Sequence, residues 1–261
     1  MIMHSHLCFD SDIGSQKPES IINTNAQCPF CDRDQLEEII EQRGQMILVK
    51  NKYPVLKDAF QTVLIETEEC HSELSLYTKE HLYALIKFGV EKWLEMKNSG
   101  EYASVIFYKN HGPLSGGTIR HPHMQIVGLK YLNCQERLTR DMFEGIRIHN
   151  VPGVELNIST KPKVGFFEFN VILDNLADIE KMADYIQIMA HYSLNNFHRR
   201  CTSYNLFFYQ MDNKIITKIM PRFVTSPLFI GYSIPHISSR TKDVVREIQA
   251  IYFDDKSHNF S

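Results

Sequence analysis

The sequence predicts an α+β fold in which two similar units follow each other in one chain. Segments rich in β-branched and aromatic residues outnumber the helical segments, and most follow one another directly, as antiparallel strands do. A strand, helix, strand, strand order also occurs twice along the 261 residues. These two observations favour an α+β fold over a doubly wound parallel sheet. We expect a loosely ordered leader at 1–27, a first half at 28–150 and a second half at 151–261.

The first half is predicted to contain two helices and four strands. Asp32 or Asp34 can cap a short helix that Gly44 would end. A long helix from Thr78 carries apolar residues at helical spacing, which predicts one buried face: Leu82, Leu85, Ile86, Gly89, Trp93 and Met96. The strand composition of the remaining segments predicts strands at 46–51, 62–67, 104–108 and 121–129.

The second half is predicted to repeat this order with little sequence identity. A turn at Asp212 and Asn213 separates two segments of strand composition. The predicted elements are a strand at 164–172, a helix at about 178–199, strands at 204–210 and 214–223, and a last helix at about 240–252. In the last helix, apolar spacing predicts an inward face of Val244, Val245, Ile248 and Ile251.

The charge balance excludes some classes of partner. The 28 Lys and Arg against 31 Asp and Glu give a formal net charge of -3, which offers no general attraction to nucleic acid or to an anionic membrane. We find no apolar segment of the about 20 residues that a membrane span needs, and no signal peptide. The sequence therefore predicts a cytoplasmic protein whose six cysteines are thiols or metal ligands.

Cys28 and Cys31 form a CxxC motif, whose spacing lets two thiolates bind one tetrahedral zinc. A redox pair uses the same spacing, but there the motif opens a helix after a buried strand, and a polar segment precedes Cys28. Candidate ligands for the other two positions are His71 and His121, with Cys70 as a rival. Taken alone, His71 is better explained as a solvated turn histidine than as a ligand.

A histidine-containing strand follows a glycine-rich loop. Alternation places His121, His123 and Gln125 on one face, and a row of buried polar groups needs partners. The loop NHGPLSGGTIR before it offers backbone N–H groups and hydroxyls suited to phosphate oxygens. The alternative is an ordinary polar-faced edge strand after a hairpin loop. Together, loop and strand favour a phosphate site.

These segments resemble the galactose-1-phosphate uridylyltransferase branch of the histidine triad superfamily. The matching motifs stand in the family's order: CPFC, LVKNKYPVL, VLIETEECHSEL and NHGPLSGGTIRHPHMQ, all between residues 28 and 125. The resemblance implies two histidine triad-like units, antiparallel half-barrel sheets with long helices, of which the second is degenerate. The chain is short for the uridylyltransferases and its second half lacks their closely spaced histidines, which puts galactose 1-phosphate in doubt as a substrate.

The resemblance assigns a role to each matching position. It implies His123 as a nucleophile that becomes nucleotidylated, and Gln125 as a residue that binds the transferred phosphoryl oxygens. It implies a structural Zn²⁺ site of four ligands: Cys28, Cys31, His71 and His121. It implies nucleotide and phosphate contacts at Asn51, Asn110, Ser115, Gly117 and Thr118.

The sequence thus predicts a zinc-containing nucleotidyltransferase or nucleotide-sugar phosphorylase, with a nucleotide or nucleotide sugar as substrate. Two alternatives stay open: a hydrolase of dinucleoside polyphosphates or nucleotide conjugates, and a non-catalytic nucleotide-binding protein stabilised by zinc. Gln125 speaks against the hydrolase, because hydrolase branches of the superfamily carry a third histidine there. The resemblance is compatible with a homodimer, and the sequence names neither the nucleobase nor the acceptor.

Overall fold

The computed structural model describes residues 6–21, 23 and 25–254. The chain divides into two compact units, Met1–Leu138 and Thr139–Ser261. The boundary that we expect at residue 150 falls instead inside a strand of the second unit, Gly145–Val151. The structure therefore separates the units twelve residues earlier than that boundary, after Leu138 rather than after residue 150.

The described part of the first unit is an antiparallel sheet with one long helix on it. Its strands are β1 (Ile39–Arg43), β2 (Met46–Lys50), β3 (Ala59–Ile65), β4 (Ser104–His111) and β5 (His123–Leu129). They lie in the order β1-β2-β3-β5-β4, and each neighbouring pair is antiparallel. The helices are α1 (Ser11–Gly14) and α2 (Lys79–Asn98).

Helix α2 begins and packs as its sequence predicts. The Thr78 hydroxyl accepts a hydrogen bond from the backbone N–H of His81 at 3.4 Å, which caps the first turn. The helix packs on β4 and β5, and the predicted apolar face is buried except for the half-buried Met96. The Trp93 indole N–H donates to the backbone carbonyl of Val105 at 3.0 Å. This bond and the apolar face hold α2 against β4, the strand beside the histidine strand.

Strand β1 corrects one prediction. The segment expected to be a helix up to Arg43 contains only a short 3-10 turn, Arg33–Gln35, and then pairs with β2. Gly44 has φ +57° and, with Gln45, connects the two strands of the hairpin, so it is a turn glycine and not a helix cap. Pairing with β2 engages Ile39 and residues 41–43, with a register shift between Ile39 and Glu41. The β-branched side chains of Ile39 and Ile40 also favour a strand.

The described part of the second unit has the same topology as the first. Its strands are β6 (Gly145–Val151), β7 (Val154–Ser159), β8 (Phe169–Leu173), β9 (Tyr204–Met211) and β10 (Lys214–Pro221). They lie in the antiparallel order β6-β7-β8-β10-β9, which repeats the order of the first unit. Its helices are α3 (Ile179–His191), α4 (Pro227–Tyr232) and α5 (Thr241–Tyr252), and α3 joins the third and fourth strands as α2 does.

Three segments of this unit differ from the prediction. The hairpin of β6 and β7 has no counterpart in it, although Pro152 and Gly153, with φ +84° at Gly153, mark its turn. Strand β8 begins five residues later than expected, because the Glu168 carboxylate binds the backbone N–H groups of Lys163 and Val164 and holds a loop there. Helix α3 ends at His191, before a wider π-type turn.

Helix α5 packs on β6 of the same unit. Of its predicted inward face, Val244, Val245 and Ile248 are buried and Ile251 is half-buried. Within the described ranges, we find no helix that is both long enough and apolar enough to span a membrane.

Candidate active site and metal site

The two histidines before and at the start of β5 are oriented by backbone carbonyls. His123 Nδ1 lies 2.8 Å from the carbonyl oxygen of His121, and His121 Nε2 lies 2.8 Å from that of Thr67. A carbonyl oxygen can only accept, so both of these nitrogens carry the proton. The lone pair of a neutral ring then lies on Nε2 of His123 and on Nδ1 of His121.

The Nδ1 atom of His121 faces a group of thiols. It lies 3.6 Å from the Sγ atom of Cys28 and 3.6 Å from that of Cys31. These sulfurs, the Sγ of Cys70 and this histidine offer four ligand atoms within 4.8 Å of one another. Ligands of one tetrahedral zinc, with Zn–S near about 2.3 Å and Zn–N near about 2.0 Å, are separated by about 3.5 Å. The spacing and the Cys3His donor set therefore fit Zn²⁺.

The electrostatics of the cluster agree with a bound cation. Burial raises the pKa of the Cys28 thiol to about 12 and raises that of Cys31 as well. Neutral thiols would gain little from lying within 4.8 Å of one another, whereas a divalent cation stabilises their thiolates. The bond from His121 to Thr67 fixes the ring in the tautomer that a metal requires.

The fourth residue of the cluster corrects the predicted ligand set. Cys70 joins Cys28, Cys31 and His121, whereas the side chain of His71 is exposed and stands outside the group. Consecutive residues of an irregular turn present their side chains in different directions, so only one of the pair can face the thiols. The spacing in the sequence allowed either residue, and Cys70 was the rival candidate.

A cavity of about 510 Å³ opens over β5, β3 and β2 of the first unit. His123 and Gln125 lie in its wall, as do Phe30 and Val63. Of the positions predicted to contact the substrate, four line the cavity: Asn51, Asn110, Gly117 and Thr118. Ser115 does not line it, because its hydroxyl donates to the carbonyl of Gly112 at 2.6 Å and accepts from the N–H of Gly117 at 3.3 Å. Ser115 therefore shapes the loop.

The glycine loop needs its glycines at two places. Gly116 has φ +85°, a conformation that residues with a side chain rarely adopt. At Gly117 a Cβ atom would lie 3.2 Å from the Cβ of Asn110. The backbone of the loop thereby runs close to the end of β4 and forms part of the cavity wall beside His123. Backbone exposed in this way is suited to phosphate oxygens.

The cations of the cavity differ in their pairing. Lys50 and Lys52 form ion pairs with Glu38 at 2.6 Å and Glu37 at 3.9 Å. Lys17 is half-buried, and no carboxylate of the described residues pairs with it within 4.0 Å. Burial lowers its pKa, and its charge contributes to lowering that of His123. Lys17 is therefore the cavity cation best placed to meet an anionic ligand.

Sequence reasoning missed Lys17, because the first 27 residues were expected to be a loosely ordered leader. In the structure this segment is hydrogen-bonded to the unit. The N–H of Ile21 donates to the carbonyl of Thr118 at 3.1 Å, and the buried Ser20 hydroxyl accepts from the N–H of Arg120 at 3.0 Å. Both bonds tie the segment to the glycine loop. No periodic pattern in the sequence signals such docking.

The nucleophile candidate lies in a mostly buried setting. Burial is the main cause that lowers the pKa of His123 to about 4, and the positive charge of Lys109 adds to the shift. Lys109 is itself buried and paired with the carboxylate of Glu66, which also accepts from the Tyr77 hydroxyl at 2.9 Å. His123 is therefore neutral at physiological pH, which is the form that can attack phosphorus.

The fold and the site define an α+β protein with a histidine beside a glycine-rich loop and a Cys3His cluster that could hold a metal ion. The chain belongs to the DUF4931 family, a family of domains of unknown function. The N-terminal domain of that family matches residues 9–132 and the C-terminal domain matches residues 135–253.

Several solved structures are similar to the chain, among them the following three. A DUF4931 family protein from Bacillus cereus ATCC 10987 is 48% identical with TM-score 0.75, covering 81% of this chain and 98% of its own. An ADP-glucose phosphorylase from Arabidopsis thaliana is 13% identical with TM-score 0.74, and the match covers 92% of this chain and 93% of the phosphorylase chain. A uridylyltransferase is 15% identical with TM-score 0.70, and the match covers 87% of this chain and 91% of the uridylyltransferase chain. The last two likenesses show the fold, and they agree with the resemblance seen in the sequence.

One curated protein also matches part of the chain. It is a di-/tripeptide transporter from Lactobacillus helveticus, 31% identical over 91 residues. The match spans 35% of this chain and 18% of the length of the transporter.

Proposed function

We propose that this protein is a nucleotidyltransferase or nucleotide-sugar phosphorylase that acts through a covalent nucleotidyl intermediate at His123. The observation that carries the proposal is the 2.8 Å contact between His123 Nδ1 and the carbonyl of His121, in the wall of the cavity. This contact holds the proton on Nδ1 and leaves the Nε2 lone pair for attack. The fold shared with an ADP-glucose phosphorylase and a uridylyltransferase supports the same reaction class.

The proposed reaction has two displacements at the α-phosphorus. The Nε2 atom of His123 forms a bond to phosphorus while the bond to the leaving phosphate oxygen breaks, and a sugar phosphate departs. In the second step an incoming phosphate or sugar phosphate attacks the same phosphorus and releases Nε2. The proton stays on Nδ1, which donates to the carbonyl oxygen of His121 throughout, and this bond stabilises the positive charge that develops on the ring.

Phosphoryl transfer is catalysed mainly by hydrogen-bond donors and cations that stabilise the negative charge on the phosphoryl oxygens. Gln125 and Asn110 lie in the cavity wall with the backbone of Gly117, and they supply neutral donors. Lys17 supplies a positive charge that is not neutralised by a carboxylate of the described residues. Together they compensate the charge that passes between the leaving group and the incoming phosphate.

In this proposal the metal site is structural. Bound Zn²⁺ would join residues 28–31, Cys70 and His121, and it would supply a rigid cross-link and no step of the reaction. The residues themselves then position the nucleophile: Thr67 orients His121, and the carbonyl of His121 orients His123.

The test is intact-protein mass spectrometry under denaturing, non-acidic conditions after incubation with nucleoside diphosphate sugars. We expect a mass increment of one nucleoside monophosphate that is absent in His123→Asn and retained in His198→Asn, an exposed histidine of the second unit. His123→Asn should keep the melting temperature and the zinc content of the wild type. An increment that survives in His123→Asn would contradict the proposal.

The acceptor is identified from the labelled protein. Adding phosphate or a sugar phosphate should remove the increment quickly and form a new nucleotide product, as in ping-pong kinetics. Loss of the increment at the same rate in buffer alone would instead indicate the hydrolase that the sequence left as an alternative.

A further inference from the structure

We infer that the cavity selects nucleobases that carry an exocyclic amino group, and that Asp32 is the residue that accepts the hydrogen bond from it. The inference rests on the proposed function, because it takes the phosphate of a nucleotide to lie at His123. It goes further in naming which bases fit and which residue distinguishes them.

The sheet gives the direction in which a nucleotide can extend from His123. Gln125 on β5 pairs with Val63 on β3, and Val63 pairs with Val49 on β2, so one row of side chains crosses three strands under the cavity. Neighbouring strands lie about 4.8 Å apart, so this row is about 10 Å long. A nucleotide whose phosphate lies at the β5 end therefore extends its base toward β2 and the loop before β1.

The cavity is apolar along this row, from β2 to Phe30, whose ring centroid lies 5.5 Å from that of His123. Val49 and Val63 belong to a buried cluster of β2 and β3, and Phe30 and Leu36 pack against this cluster. All four side chains line the cavity. Apolar and aromatic walls of this kind hold the faces of a flat base, while the few polar groups at its edge provide specificity.

Three carboxylates line the cavity: Asp32, Glu37 and Glu38. Glu38 is paired with Lys50 at 2.6 Å, which compensates its charge. Glu37 is exposed and lies 3.9 Å from Lys52, so water screens its charge. Asp32 is half-buried, its side chain does not cap the 3-10 turn that follows, and no cation of the described residues pairs with it within 4.0 Å. Its carboxylate is therefore the acidic group left to meet a ligand.

An ionised carboxylate accepts hydrogen bonds and donates none. Adenine, guanine and cytosine present an amino group with two N–H donors at their polar edge. Uracil presents one N–H between two carbonyl oxygens, so a carboxylate that approaches it also faces an oxygen. Hypoxanthine has a carbonyl oxygen in place of the amine of adenine and an N–H at the neighbouring ring nitrogen. A carboxylate that faces the exocyclic position, which is the place we infer for Asp32, therefore favours the amino base in each matched pair, adenine over hypoxanthine and cytosine over uracil.

The experiment compares these pairs. Titration calorimetry with ADP, IDP, CDP and UDP gives their affinities, and mass spectrometry with the corresponding glucose conjugates gives the rate of labelling of His123. A hydrogen bond to a charged acceptor predicts a preference of about tenfold or more for each amino base. Asp32→Asn, whose amide both donates and accepts, should reduce this ratio to near one.

Glu37→Gln is the matched control: its carboxylate also lines the cavity, but it is exposed and screened by water, so its loss should leave the ratios unchanged. Because Asp32 follows Cys31, the zinc content of Asp32→Asn is measured alongside. Equal affinity within each pair, tighter binding of UDP than CDP, or an unchanged ratio in Asp32→Asn would overturn the inference. A preference in binding without any labelling of His123 would support it and overturn the proposed function instead.

Discussion

Cys70 and His71 show how one residue decides the chemistry of a site. Three of the predicted metal ligands, Cys28, Cys31 and His121, are together in the structure, and the fourth position is taken by Cys70. The sequence could predict that a ligand lies in this turn, because CxxC leaves two positions open. It could not choose between adjacent residues, because the choice depends on the backbone angles of an irregular turn. Strand or helix periodicity says nothing about such a turn.

Replacing each of the two residues tests the corrected ligand set. We expect Cys70→Ser to lose bound zinc and to melt at a lower temperature, because a structural zinc contributes its binding free energy to folding. His71→Ala should keep one zinc per chain and the melting temperature of the wild type. Elemental analysis and thermal unfolding measure both. Zinc loss in His71→Ala with retention in Cys70→Ser would restore the ligand set predicted from the sequence.

Lys17 gives a second prediction at this scale. Lys17→Met should weaken the binding of ADP by about tenfold, the worth of a hydrogen bond to a charged group, and leave the binding of adenosine unchanged. The reason is that its charge faces the cavity beside His123 without a carboxylate partner among the described residues. Calorimetry with both ligands separates a phosphate contact from general damage. Equal loss for adenosine would show that Lys17 only holds the amino-terminal segment.

Among the secondary-structure elements, helices with a periodic apolar face were predicted correctly from the sequence. Strands whose conformation depends on hydrogen bonds to a neighbouring strand were not. Helices α2 and α5 follow from apolar spacing, since a helix that buries one face repeats it every three or four residues. Strand β1 was predicted as a helix, because its identity comes from hydrogen bonds to β2. The hairpin of β6 and β7 was missed although its Pro-Gly turn is visible, because polar residues alternate irregularly around a register shift in β6.

The docking of α5 should depend on pH. His149 Nδ1 contacts the Tyr185 hydroxyl at 2.6 Å, and the His149 ring stacks on Phe253, the residue that ends α5. Burial lowers the pKa of His149. Between that lowered value and the unfolded value of about 6.5, the unfolded state binds more protons, so stability rises with pH in this window and is lost as the pH falls.

Thermal unfolding as a function of pH measures this effect. We expect the melting temperature to fall as the pH drops below about 6.5, and to fall less steeply in His149→Gln, which removes the titrating ring. Burial also lowers the pKa of other histidines, among them His111 to about 3, so part of the acid sensitivity should remain in the variant. Identical slopes for both proteins would show that His149 carries none of it.

At the scale of the whole molecule, each unit contains one Lys-Glu pair among its described residues that is almost fully buried. In the first unit it is Lys109 with Glu66, and in the second it is Lys218 with Glu168 at 2.8 Å. Lys218 also donates to the backbone carbonyl of Met142 at 2.8 Å. Each pair therefore ties a strand to a segment outside the sheet. Because desolvation offsets the attraction between the two charges, the main contribution of each pair is to hold that segment in place.

Breaking the pair in the second unit should be costly. Lys218→Met leaves the Glu168 carboxylate buried without its cation, which predicts a loss of about 3–5 kcal/mol in the free energy of unfolding. Adding Glu168→Gln should recover part of the loss, because a neutral amide still accepts from Lys163 and Val164. Urea unfolding of the single and double variants measures both values. A double variant less stable than Lys218→Met would contradict this explanation.

His121 links the thiol cluster to His123, and this link affects how mutants of the first unit would be classified. The ring of His121 faces the thiols, and its carbonyl accepts from Nδ1 of His123, so a change at the thiol cluster is passed to His123 across a single residue. A mutant screen scored on lost activity alone would therefore place Cys70 in the same class as His123. Measuring metal content would separate the two: in the proposed function, His123 mutants lose the nucleophile and keep zinc, whereas Cys70 mutants lose zinc and thereby the positioning of His123.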